Sequence, residues 1–202
     1  HRHARLNPTM GEGGVLRGIV LAGGRASRLG GRHKPGIPIA GEPMVARVVG
    51  ALRQVGAEPL VVGEPDGVPG GVPVVREDPP YSGPVSAVSA GMRALPPRSG
   101  TVLLLGGDMP FVTAVALRSL LRARTGPVAL AVDGTGRDQP LCAAWEEEAL
   151  RVRLAAIGDP RNRPLRALLQ GEERIVRLPL PDEVLFDVDT PDDLQAAGGD
   201  EP

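Results

Sequence analysis

The sequence predicts an α/β fold with a mostly parallel central sheet covered by helices on both faces. Three observations predict it. Short apolar segments alternate with segments of helical periodicity along nearly the whole chain. A glycine-rich loop follows directly on the first apolar segment, and the most apolar segment, TVLLLGGDM, ends in an acidic turn. In open sheets of this kind ligands bind beyond the carboxyl ends of the strands, so both turns face one crevice.

The elements follow in order. LRGIVLA is short, apolar, β-branched and closed by glycines, the marks of a buried strand. A long loop comes next. PMVARVVGALRQVG repeats apolar residues at helical spacing, with Pro43 at its start and Gly56 at its end. EPLVVG and VPVVRE read as two short strands, and SGPVSAVSAGMRAL as a helix of small residues. After TVLLLGGDM, the segment TAVALRSLLRA reads as a helix with Thr113 as its cap. PVALAVD and QPLCAAW are strands, EEEALRVRLAAIG is a helix and RPLRALLQ a short one. ERIVRLPL and VLFDVD read as late strands. TPDDLQAA is a terminal helix, with Thr190 before Pro191 and two early acids that favour the helix dipole. Residues 15–198 thus form one domain. Residues 1–14 lack the apolar core of a signal peptide and read as a disordered extension or an expression remnant, with Met10 as a candidate start.

Composition excludes several classes. The longest apolar runs are strand length, well short of a membrane span. The net charge of -1 gives no global basic field for nucleic acid, and 2% aromatic content leaves no stacking platform for single strands. Any anion site is therefore built locally. Cys142 is the sole cysteine, which excludes an internal disulfide and a multi-cysteine metal site and fits a reducing cytoplasm.

The loop LAGGRASRLGGRHKPG carries glycines that let backbone N–H groups approach a ligand, with Arg25, Arg28, Arg32 and Lys34 to neutralise it. That combination suits a polyphosphate. No Gly-Lys-Ser/Thr follows, and no G-x-G-x-x-G occurs, so neither the Walker loop nor the dinucleotide fingerprint is present. A solvated loop with surface arginines fits this pattern about equally well. At the acidic turn, Asp108 needs a positive partner such as magnesium bridging to phosphates, or caps the next helix. In FDVDTPDDL, Asp187 and Asp189 lie two apart on a predicted strand and so share one face, or Asp189 caps the helix that follows.

LAGGRASRLGGRHK resembles the signature L-A-G-G-x-x-x-R-x-G-x-x-x-K of the nucleotidyltransferases with a three-layer Rossmann-like fold. REDPPYSGPVSAVSAGM and GRDQPL resemble segments of the molybdenum cofactor guanylyltransferases, a MobA-like branch of that family. The resemblance covers about Gly18 to Ala197, with its motifs in the expected order. It implies transfer of GMP from GTP to the terminal phosphate of molybdopterin or its molybdenum form, with release of pyrophosphate. Leu21, Ala22 and Gly23 would then line the base and ribose pocket, and Gly24, Arg28 and Lys34 would hold the triphosphate. Asp108 would bind magnesium, joined by Asp189, with Asp187 as the other choice. Asp78 would accept guanine's N1–H and amine, with Gly83 and Pro84 shaping the pocket. Arg137 and Gln139 would meet the pterin substrate, and Arg161 or Arg163 an anionic acceptor, although a solvated basic face explains the last two equally. Asp133 and Gly134 read as a plain turn. Partners implied are cofactor-synthesis and molybdoenzyme-maturation proteins, with no nucleic acid and no membrane. Two alternatives stay open: a related transferase with another substrate pair (a molybdopterin cytidylyltransferase or a phospho-acid guanylyltransferase), and a non-catalytic nucleotide-binding subunit. His33 departs from the pattern, because many members carry aspartate before the lysine.

Overall fold

The structure, a computed structural model, describes residues 14–23 and 28–199. The expected N-terminal extension therefore lies almost wholly outside the described residues.

The strands are β1 (Val15–Ala22), β2 (Arg28–Leu29), β3 (Arg32–His33), β4 (Pro38–Ile39), β5 (Glu42–Pro43), β6 (Glu58–Gly63), β7 (Val74–Val75), β8 (Gly100–Gly106), β9 (Val128–Val132), β10 (Asp138–Glu146) and β11 (Ile175–Pro179). The helices are α1 (Met44–Gln54), α2 (Pro84–Ala94), α3 (Ala114–Ala123), α4 (Glu147–Ile157), α5 (Asp182–Leu185) and α6 (Pro191–Ala196). Seven strands form one sheet in the order β11-β9-β10-β8-β1-β6-β7. Only β10 runs against the others, so the sheet is mostly parallel, as the alternation predicts.

Alternation along β8 explains the layers. Leu103 and Leu105 face α1 and α3, packing with Val45, Val48, Leu52, Leu117 and Leu120. Val102 and Leu104 face α2 and α4, packing with Val85, Val88, Met92 and Leu150. A strand buried on both faces reads as a continuous apolar run, which is what TVLLLGG is. The caps follow the sequence. Ala116 N–H donates to the Thr113 hydroxyl at 3.1 Å, and Thr190 and Asp193 form a reciprocal capping box on α6.

Three expectations are corrected. The long loop after β1 contains two short hairpins, β2–β3 and β4–β5. VPVVRE keeps only Val74–Val75 as strand, because Glu77 turns inward instead of continuing the edge. VLFDVD is no strand. Pro181 precedes the short helix α5, and the chain then runs past the end of β8, where Val188 N–H donates to the Asp108 carbonyl at 3.0 Å. Its apolar residues are divided between two cores: Val184 and Leu185 pack on the α1 and α3 face, while Val188 packs with Leu29, Ile37, Ile39, Met44 and Leu194 in a separate small core.

The edge of the sheet away from the strand carboxyl ends is pinned by charge. Arg17 and Glu147 form a buried ion pair, 2% and 3% exposed. Glu147 also accepts the Arg98 N–H at 2.6 Å and pairs with Arg151, which donates to the carbonyls of Met92 and Leu95. Removing one member of such a pair strands the other in a dry site. Glu147→Ala should lose about 3 kcal/mol of stability in urea titration.

Candidate functional site

Packing delivers the carboxyl ends of β1 and β8 side by side. The Gly107 N–H donates to the Leu21 carbonyl at 2.9 Å. A side chain on Gly107 would meet Ala22 Cβ, the Leu21 carbonyl and Pro35 Cβ at 3.2–3.3 Å, so the acidic turn sits directly against the loop that leaves β1. Gly63, at the end of β6, closes the other side. Its φ is +142°, and a Cβ there would lie 2.5 Å from the Ala22 carbonyl carbon. Only glycine fits.

Lys34 opens a short 3-10 turn, Lys34–Gly36, and its side chain is only 4% exposed. Its ammonium lies 3.1 Å from Asp108 Oδ2 and 3.2 Å from Asp189 Oδ1. Burial alone would push its pKa down. The attraction of Asp108 and the hydrogen bonds to Asp108 and Asp189 outweigh that, and the pKa is raised. Asp187 joins the group. Oxygens of Asp108, Asp187 and Asp189 all lie within 4.8 Å of one another. With Val188 buried between them, Asp187 and Asp189 both reach Asp108, so the shared face expected of a strand is achieved by an extended connector. Partial burial, followed by the hydrogen bond and charge of Asp189 and the charge of Asp108, pushes the Asp187 carboxyl up to about 6. Three converging carboxylates with a cation already seated among them form an all-oxygen donor set, which fits a hard divalent ion.

Other expected residues divide into those near the crevice and those engaged elsewhere. Leu21, Ala22 and Gly23 stand at the exit of β1 beside Gly63. Gly24 and Arg25 lie outside the described residues, and Arg28 is described by its backbone, which pairs with His33 across the β2–β3 hairpin. Asp78 is exposed at a cis peptide to Pro79. Its neighbour Glu77, not singled out in the sequence, is 3% exposed. Glu77 Oε1 accepts the Tyr81 N–H at 3.1 Å and lies 3.9 Å from the point where a Cβ on Gly23 would sit. Its Oε2 is buried without a hydrogen-bond partner. The signal for Glu77 was one position away in REDPP, but alternation along a two-residue strand is too short to assign a face. Gly83 has φ +96° and packs against Asn162, whose N–H donates to the Ser82 carbonyl at 2.7 Å. Pro84 follows it as the first residue of α2.

Gln139 and Arg137 stand at the β9–β10 turn, on the same side of the sheet as Asp108. The Gln139 amide donates to Asp133 at 3.3 Å, and Asp133 also accepts the N–H groups of Thr135 and Arg137. Asp133 therefore organises a turn, as its sequence suggests. Arg161 is committed to Asp159 at 2.8 Å, and its hydrogen bonds bring the Asp159 carboxyl down to about 2. Burial pushes the Cys142 thiol up to about 12, which removes it as a nucleophile at neutral pH.

A family model described as the MobA-like NTP transferase domain matches residues 18–176. The chain is 34% identical over 191 residues to a molybdenum cofactor guanylyltransferase of Cereibacter sphaeroides, covering 90% of this chain and 95% of that protein. A probable molybdenum cofactor guanylyltransferase of Pelotomaculum thermopropionicum is 31% identical, with 89% and 90% covered. Among solved structures, a nucleotidyl transferase from Methanothermobacter thermautotroptrophicus superimposes with a TM-score of 0.74 at 24% identity, over 92% of this chain and 97% of that one. No helix among the described residues is long and apolar enough to cross a membrane.

The raised Asp187 carboxyl has a signed consequence. The folded protein holds this proton more tightly than the unfolded chain, so that contribution is full below about pH 4 and lost as pH rises through about 6. Asp187→Asn should therefore melt higher than the parent in metal-free buffer at pH 7.5, and the difference should vanish below pH 4. Thermal melts across pH with a chelator present check both.

Proposed function

The chain belongs to the MobA-like NTP transferase family, and on that premise we propose that it transfers GMP from GTP to the terminal phosphate of molybdopterin or its molybdenum form, releasing pyrophosphate. One observation carries the reading: Lys34 and three carboxylates converge where β1 and β8 end. A cation for phosphate oxygens and an acidic set for a divalent ion are the two halves of a phosphoryl-transfer site.

Each residue then has a task. The backbone of Leu21, Ala22 and Gly23 lines the base and ribose. Gly24 and Arg28 act with Lys34 on the triphosphate. Lys34 exchanges the carboxylates of Asp108 and Asp189 for phosphate oxygens and holds the charge that develops on the leaving pyrophosphate. Asp108, Asp187 and Asp189 would hold magnesium, which supplies charge neutralisation of the phosphates when bound. Above about pH 6 Asp187 has released its proton and offers a third anionic oxygen. The acceptor phosphate is ionised near neutral pH, so position and charge stabilisation replace a strong general base. Glu77 takes the base-reading role in place of Asp78: its Oε1 stands beside Gly23, and its Oε2, which has no hydrogen-bond partner, accepts guanine's N1–H or amine. This favours guanine over cytosine, whose Watson–Crick edge has no paired donors of that kind. Arg137 and Gln139 contact the pterin substrate from the β9–β10 turn. Residues 15–198 act as one domain, working in the cytoplasm with the proteins that supply and receive the cofactor.

Purified protein with GTP, magnesium and molybdopterin should yield the guanine dinucleotide and pyrophosphate. Asp108→Ala should lower kcat/KM at least about a hundredfold. A variant at the parent rate, or turnover indifferent to a chelator, would overturn the assignment. Glu77→Gln should weaken GTP binding about tenfold and narrow the preference for GTP over CTP in calorimetry, whereas Asp78→Asn should leave both unchanged.

A further inference from the structure

His33 is the residue of the cationic loop that the mechanism does not use. Its side chain is 2% exposed, and its Nδ1 lies 3.5 Å from Glu64 Oε2. Glu64 directly follows Gly63, the residue that closes β6 against Ala22. Its other oxygen is 4.0 Å from Arg76, whose guanidinium lies 5.0 Å over the Tyr81 ring. The Tyr81 N–H in turn donates to Glu77. These contacts run from the hairpin that carries the loop cations to the buried carboxylate beside Gly23.

The position of His33 in the backbone makes it the natural point of control. It ends β3, where it pairs with Arg28, and it precedes Lys34. Beyond it the chain is stiff. Pro35 fixes one dihedral of the turn, and the Ile37 N–H closes it on the Lys34 carbonyl at 3.0 Å. The turn therefore moves as a unit with its first residue, and the side chain of His33 makes no cap of its own to that turn. We propose that His33 is a positioning residue: braced by Glu64, it fixes the hairpin and turn against the end of β6 and so sets where Lys34 meets the triphosphate. The inference rests on the GTP reading of the site.

A charge swap tests it. His33→Asp faces Glu64 with a like charge, Glu64→Lys removes the acceptor, and the double variant restores an opposite pair in reverse. Each single variant should bind GTP about tenfold more weakly by calorimetry while binding GMP as the parent does, because GMP lacks the phosphates Lys34 serves. Steady-state kinetics should show kcat falling along with the rise in KM. The double variant should recover to within about threefold of the parent. Glu64→Gln, which removes only the charge, gives the same reading where a swap variant fails to fold, with GTP weakened and GMP unchanged. Folded single variants with parental GTP binding and kcat, equal losses for GMP and GTP, or a double variant that is additively worse would overturn the brace. A parent protein that binds no GTP would instead overturn the guanylyl reading.

Discussion

An ammonium shut away from water must have negative charge within a few ångströms, and Lys34 imposes that constraint on the floor of the crevice. Asp108 and Asp189 meet it. Their proximity brings in Asp187, whose carboxyl is pushed up to about 6 first by burial and then by the hydrogen bond and charge of Asp189 and the charge of Asp108. Lys34 offsets only part of the charge of the three acids, so the cluster keeps a surplus of negative charge that a divalent ion would neutralise. Phosphates and a divalent ion can enter it by exchange, each taking over one partner of a pair that already exists.

The partners come from distant parts of the chain, and each arrives by a different device. Asp108 ends a strand buried on both faces, so its place is set by the sheet itself. Lys34 arrives on a proline-stiffened turn packed against Gly107. Asp187 and Asp189 are held by the buried Val188 between them and by the Val188 N–H on the Asp108 carbonyl. Asp193 steadies the last of these from behind, accepting the backbone N–H groups of Asp189 and Thr190.

What the sequence made legible was whatever short-range chemistry determines. The strand and helix alternation, the caps at Thr113 and Thr190, the Asp133 turn and the acidic turn at Asp108 all follow from residues within a few positions of each other. What escaped depends on contacts far along the chain. Two-residue hairpins are too short to show a period. VLFDVD has the alternation of a strand, yet Val184 and Leu185 pack on the main core while Phe186 and Val188 face a small core made with the first hairpins and α6. Glu77 and Asp78 are chemically similar neighbours, and only the approach of Gly23 decides which is buried. His33 had no rationale in isolation, because its partner Glu64 lies 31 positions away on another strand end.

The small apolar cluster of Leu29, Ile37, Ile39, Met44, Val188 and Leu194 is smaller than either main core, and its members come from the loop after β1, the start of α1 and the C-terminal segment. Apart from Met44 at the start of α1, these side chains lie in the loop after β1 and in the C-terminal segment rather than in the seven-stranded sheet. Any local opening of residues 28–43 and 186–199 would have to break that cluster together with the Lys34–Asp108 pair and the Val188–Asp108 hydrogen bond. Lys34 and Asp189 belong to those segments, and Asp108 to the turn that leaves β8. The charge cluster thus doubles as the clasp between the small core and the end of the sheet.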